Sequence, residues 1–250
     1  MQTNEAPRWS RGPARVKDAM VTVEATGRYE VQRDPQMVFD LAAARSPEEI
    51  AAFAEAYGLL RHSSRVGEVR QEALSEWTQA IGGVTMVIDL YIHLRKAVDG
   101  DVHSVEFLRS VHDRIVETSS FYAARPGDTD QVFQNMSYVI GEQLNLGRRG
   151  VRSVVDSNLD VDDLPDTFTR WRFVMASTTL LSTIYDVLAE LIVERRDMRH
   201  CEECARPFLV TDPRRLFHNE ACAYRARRRR MLEKRKRETT TAIDGAGESV

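Results

Sequence analysis

The sequence predicts a mainly α-helical domain with a small β element, followed by a small C-terminal module built on cysteine and histidine. Three observations carry that prediction. Apolar residues recur at three- and four-residue spacing over most of the 250 residues. Alternation of apolar and polar residues is confined to short stretches, chiefly 20–33. All three cysteines fall between positions 201 and 222.

Residues 1–18 are rich in Arg, Pro and Gly without periodicity, and the expectation is a disordered start. In 20–33, Val21 and Val23 pair with Tyr29 and Val31 across a Thr26-Gly27 turn, which reads as a short hairpin. Two strands alone are marginal, so the hairpin needs a surface to lie on. Residues 37–44 are apolar and read as helix or packed loop.

Ser46-Pro47-Glu48-Glu49 is a helix start: Ser46 caps, Pro47 takes the first helical position, and Glu49 completes a capping box. Ile50, Phe53, Ala54 and Tyr57 make the apolar stripe, and Gly58 stops it. A long helix follows over 68–98, with Val69, Ala73, Trp77, Ile81, Val84, Ile88, Tyr91 and Ile92 on one face. Gly82 and Gly83 cost it about 1 kcal/mol each relative to alanine, which points to a kink or a close helix contact.

Gly100 ends that helix, and 102–118 is a second amphipathic one using Val105, Leu108, Val111 and Ile115. Pro126-Gly127 marks a turn, 132–145 reads as helical or mixed, 151–155 as a strand, and acidic 156–166 as a loop. The widest apolar face belongs to a helix expected over 168–196, running from Trp171 to Ile192 with a basic end at Arg195-Arg196 that suits the helix dipole. The domain organisation expected is therefore a disordered start (1–18), a helical domain (19–197), a finger with a basic helix (198–237) and a disordered tail (238–250).

No run of about 18 apolar residues exists, so no membrane span is expected. The first residues lack the apolar stretch of a secretory signal. Cysteines arranged as C-x-x-C argue against a disulfide framework and for a reducing, cytoplasmic setting. The net charge of −3 conceals an asymmetry: 199–237 holds 13 Lys and Arg against 5 Asp and Glu, net +8, while the rest holds 22 against 33, net −11. An acidic body with one basic end is the layout of a protein that touches nucleic acid through that end.

Cys201, Cys204, His218 and Cys222 form C-x2-C-x13-H-x3-C, the donor set and spacing of a closed, structural Zn2+ site. The C-x-x-C turn offers two thiolates, and His218 and Cys222, four apart, are presented by the entry and first turn of a helix. His200, beside Cys201, cannot reach the same metal without strain. Nothing breaks the helix over 219–239, and it carries Arg225, Arg227, Arg228, Arg229, Arg230, Lys234 and Arg235. Tyr224, on the same helix, is expected to pack against the knuckle.

Knuckle, loop and ligand-bearing helix together look like a treble-clef zinc finger. The module resembles the bacterial CGNR-type fingers and related short fingers reading C-x-x-C-x-x-x-F, F-C-S-x-x-C-R and R-x-R-R. The matching residues are Cys201, Cys204, Phe208, Phe217, His218, Cys222, Arg225 and Arg227 to Arg230. His218 stands where those fingers carry cysteine, and C222-A-Y-R225 stands where the motif reads C-G-N-R.

The resemblance implies a DNA-binding transcriptional regulator whose helical domain senses or interacts. The arginines contact phosphates, bidentately where geometry allows. The partner expected is nucleic acid, duplex DNA first, and a homodimer is compatible with this. The alternative is a helical interaction protein whose basic finger docks RNA, the ribosome or an acidic protein. His93, His103 and His112 have acidic neighbours but no paired motif. With no Gly-rich phosphate loop, no H-E-x-x-H and no G-x-S-x-G, the chain reads as non-enzymatic.

Overall fold

Ser46 and Pro47 start a helix as their order predicts. In α2 (Pro47–Tyr57) the Ser46 hydroxyl accepts the Glu49 N–H at 3.3 Å, and the Glu49 carboxylate accepts the Arg45 N–H at 2.7 Å. Gly58 closes the helix at φ 93°, a left-handed conformation that glycine adopts without strain. The computed structural model to which these elements belong describes residues 8–30, 33–61, 67–118, 128–148, 151–156, 172–177 and 179–245. The chain divides into two compact units between Arg196 and Asp197.

The first unit is mainly helical. Besides α2 it holds α1 (Pro35–Ala43), α3 (Leu74–Val98), α4 (Val102–Thr118), α5 (Thr129–Gly147) and α6 (Leu180–Val193). Helix α3 is the central one and packs against α1, α4, α5 and α6. Its Trp77, Val84, Ile88 and Leu90 are buried with Leu41, Leu108, Met136, Leu180 and Ile184.

The close contact expected at the glycine pair is made by Gly83. A Cβ there would lie 2.5 Å from the Tyr185 hydroxyl, whereas one at Gly82 meets nothing within 4 Å. Tyr185, on α6, also lies against Gly147, where a Cβ would overlap its ring. No helix among the described residues is long and apolar enough to cross a membrane.

The β structure differs from the expected hairpin. Strand β3 (Met20–Glu24) is the middle of an antiparallel sheet between β2 (Ala14–Lys17) and β5 (Val69–Ala73), with Val23 opposite Ala14 and Arg70. Strand β4 (Gly27–Glu30) pairs instead with β1 (Arg8–Arg11), with Tyr29 and Trp9 at the same position of the backbone register; Val31 lies outside the described residues. The expectation of disorder over 1–18 therefore fails for 8–17. Val21 and Val23 are fully buried, and a buried strand needs backbone partners on both edges, which 14–17 and 69–73 supply.

The same pairing shortens the long helix. Residues 69–73 are strand, and α3 begins only at Leu74. The carboxylate of Glu72, buried in that strand, accepts the Leu60 and Arg61 N–H groups at 3.0 and 2.6 Å.

Strand β6 (Val151–Asp156) forms where a strand is expected, but it pairs with β7 (Arg172–Ser177), inside the stretch read as helix over 168–196. The helix there begins at Leu180 because Thr179 caps it. Thr179 Oγ1 accepts the Ser182 N–H at 3.0 Å, and the Ser182 hydroxyl accepts the Thr179 N–H at 3.2 Å. Residues 168–171, the Pro126-Gly127 turn and the acidic loop beyond 156 lie outside the described residues.

Three histidines of this unit, His93, His103 and His112, lie among the described residues. The His93 ring stacks on Phe107 at 4.0 Å between centroids, and its Nδ1 lies 3.0 Å from the hydroxyl of buried Ser104. Ser104 in turn donates to Asp101, whose carboxylate accepts the Ser104 N–H in the first turn of α4. His112 is buried against the Asn135 side chain at 3.1 Å, and exposed His103 stands 3.7 Å from Glu106.

Candidate metal centre

The second unit is a treble-clef finger, built in the order knuckle, loop, helix. Strands β8 (Met198–His200) and β9 (Pro207–Leu209) pair antiparallel, with Arg199 opposite Phe208. The turn between them is C201-E-E-C204. The Cys201 N–H donates to the Arg206 carbonyl at 2.9 Å, and the Ala205 N–H donates back to the Cys201 carbonyl at 2.8 Å. Closing so tight a turn puts Ala205 at φ 57°, left-handed backbone that costs a non-glycine residue roughly 1–2 kcal/mol.

The loop back to the site is held by Arg215. Its guanidinium lies over the Phe208 ring at 5.4 Å and donates to the carbonyls of Phe217 (3.0 Å) and His218. Helix α7 (Glu220–Gly245) starts at Asn219, whose side-chain oxygen accepts the Cys222 N–H at 2.9 Å. That cap fixes Cys222 in the first turn, and the Asn219 amide nitrogen also faces His218 Nε2 at 2.7 Å. The helix continues through 238–245, so the tail expected to be disordered from 238 is helical to Gly245: no Pro or Gly interrupts it before that residue.

These elements bring all four sequence-predicted ligands together. The donor atoms of Cys201, Cys204, His218 and Cys222 lie within 4.8 Å of one another, close enough to hold a metal ion. Cys204 Sγ is 3.3 Å from His218 Nδ1, so Nδ1 is the ring nitrogen turned to the cluster. In a tetrahedral zinc site with sulfur at about 2.3 Å, ligand atoms stand about 3.8 Å apart, and the cluster matches that scale. Cys201 and Cys222 are buried with Phe208, and Val210 and Phe217 pack around them. His200, on β8, is not part of the cluster.

The electrostatics also suit a cation. Burial pushes the Cys201 thiol up. The His218 ring and the backbone N–H groups of His218, Glu203 and Cys204 outweigh that and hold it at about 6. Burial pushes the Cys222 thiol up to about 11, with the neighbouring Cys204 and Cys201 adding to it. Three sulfurs in so small a volume repel one another as thiolates, and a divalent cation supplies the missing countercharge.

Beyond Cys222 the cations of α7 separate into two groups. Cys222 and Ala226 face inward and are buried. Flanking them, Arg229 Nη1 stands 2.9 Å from Glu203 Oε2 and Arg230 Nη2 stands 3.5 Å from Glu202 Oε2. Arg225 Nη2 donates to Cys222 Sγ at 2.8 Å, and its Nε is 4.0 Å from Glu203 Oε1.

On the opposite side, Tyr224, Arg228, Met231 and Arg235 share about 60° of helix circumference, with Arg227 and Lys234 at the margin. All six are exposed. Tyr224, 65% exposed, does not pack against the knuckle as expected, because it points away from the face that Cys222 buries. The knuckle glutamates, Arg215 and Asn219 are the site residues that sequence reasoning did not single out. Asn219 was legible, since an Asn three residues before a helix position is a cap signature.

No protein-family model matches the chain, and no curated protein or solved structure is significantly similar to it.

Proposed function

We propose that the chain is a zinc-binding, nucleic-acid-binding protein. In this reading it is a DNA-binding transcriptional regulator, its finger contacting duplex DNA and its helical unit sensing a signal or a partner. Zinc is the metal that three thiolates and one imidazole in a closed tetrahedral set suit best, and such a site is structural rather than catalytic. The CGNR-type resemblance of the finger supports the same assignment.

One observation carries the nucleic-acid reading. A metal ligand, Cys222, sits in the first turn of α7, so the metal would fix the helix whose exposed face bears Arg227, Arg228, Lys234 and Arg235. A rigid helix with cations on one face can neutralise backbone phosphates and release their counterions.

A second reading has its own support. Tyr224, Met231 and Leu232 on that helix are 65%, 59% and 56% exposed, an apolar component that suits RNA stacking or an acidic protein. Fluorescence anisotropy of the zinc-loaded chain against random duplex DNA and a structured RNA hairpin, over a range of salt, separates the two. Salt-sensitive duplex binding supports the first reading. Preference for the hairpin at matched salt supports the second.

A further inference from the structure

We propose that Arg225 belongs to the metal centre rather than to the nucleic-acid surface: its guanidinium caps the Cys222 sulfur, and Glu203 holds it there. This rests on the metal reading of the site and is independent of the nucleic-acid reading.

The geometry singles Arg225 out. It donates to Cys222 Sγ at 2.8 Å, short for a bond to sulfur, whereas Arg227 Nε donates to the Ala223 carbonyl of its own helix at 3.3 Å. Cys222 is fully buried, so its sulfur has no access to water as a donor. Glu203 lies in the knuckle between two ligands, and its side chain is only 12% exposed. It stands 4.0 Å from Arg225 and 2.9 Å from Arg229.

The charges then balance. Three thiolates, a neutral imidazole and a divalent cation sum to −1, and Arg225 brings the centre to zero. Glu203 and Arg229 cancel each other. A donor on a ligand sulfur draws electron density from it, lowers repulsion among the thiolates and shields the metal–sulfur bond from acid and chelator. Arg225 is therefore a positioning residue of the centre, and a guanidinium committed to sulfur and carboxylate is a poor phosphate ligand.

The test uses the full-length chain loaded with zinc, or with cobalt as a spectroscopic substitute. Zinc release to excess chelator is timed for the unaltered chain, Arg225→Met, Arg225→Lys, Glu203→Gln and, as a control on the outer face, Arg228→Met. Release should be about 10–100-fold faster for Arg225→Met, the usual effect of removing a partner of a metal ligand. It should be intermediate for Arg225→Lys, whose ammonium can still donate to sulfur, and faster by a smaller factor for Glu203→Gln. Arg228→Met should match the unaltered chain.

The sulfur-to-cobalt charge-transfer band should shift in Arg225→Met and not in Arg228→Met, with helical circular dichroism unchanged in both. Equal release rates for Arg225→Met and Arg228→Met would overturn the proposal. So would a salt slope on duplex DNA that drops by about one unit in Arg225→Met while metal release stays the same. If Arg225→Met does not load metal, the other pair decides: Arg225→Lys and Glu203→Gln both at the unaltered rate contradict the proposal. Should no variant bind nucleic acid, the functional reading falls and the release rates still decide this one.

Discussion

Cys204 Sγ lies 3.3 Å from His218 Nδ1, although 14 positions of chain separate the two residues. The contact joins the knuckle to the entry of α7 and completes the four-ligand cluster. Its first consequence is metal content. The purified chain should carry about one zinc. Cys204→Ser should lose it and unfold the finger, because a closed site with three ligands left binds far more weakly. All three tryptophans lie in the first unit, so their fluorescence reports that unit alone. Its thermal transition should be the same in Cys204→Ser. Zinc-free protein prepared under reductant contradicts the metal assignment, and a collapsed tryptophan transition contradicts the independence of the two units.

Metal affinity should rise with pH, for a reason that follows from the thiols. In the metal-free finger the Cys222 thiol, pushed up to about 11, is protonated at neutral pH, so metal binding must expel that proton. The apparent affinity should therefore gain about tenfold per pH unit between about 7 and 9 for this proton alone. Below about 6 the slope should steepen, because Cys201 then binds a proton as well. Competition titrations at fixed free zinc measure this, and a pH-independent affinity contradicts it.

Ala205 sits at φ 57°, where glycine is at ease and alanine is not. Ala205→Gly should stabilise the loaded finger by about 1 kcal/mol, roughly a fivefold gain in metal affinity. The gain is read from the same competition titration, and a loss of affinity means that the turn relies on the alanine methyl group.

The meeting of Gly83 and Gly147 at Tyr185 predicts a different outcome for neighbouring glycines. Gly82→Ala meets nothing and should stabilise α3 by up to about 1 kcal/mol. Gly83→Ala should destabilise the unit by about 1–3 kcal/mol, since its new methyl group meets the Tyr185 hydroxyl. Adding Tyr185→Phe should recover part of that loss. Denaturant unfolding followed by tryptophan fluorescence gives all four values, and additive effects of Gly83→Ala and Tyr185→Phe contradict the contact.

The ligand set was legible because coordination chemistry fixes spacing: Cys201, Cys204, His218 and Cys222 stand out from sequence alone. Local signals were legible too, as with Ser46, Pro47 and Gly58 around α2. Sheet partners were not. Val69 and Ala73 fall on the helical period of Trp77 and Ile81, yet they belong to a strand whose partner, Met20–Glu24, is about fifty residues away. Periodicity describes one segment at a time and carries no information on such a partner. Nor does a row of charges reveal which of its members stand beside Glu202 and Glu203.

The central claim is that a metal-fixed α7 presents its outer cations to a nucleic-acid backbone, and the salt dependence of duplex DNA binding by the zinc-loaded chain tests it most directly. Four contacts, from Arg227, Arg228, Lys234 and Arg235, predict a log–log slope of roughly −4, at about −0.9 per contact. Replacing Arg228 and Arg235 together by glutamine should flatten it to roughly −2 with zinc retained, since neither residue touches the ligand cluster. A slope that stays the same in the double variant, or binding that ignores salt while zinc is in place, would contradict the claim.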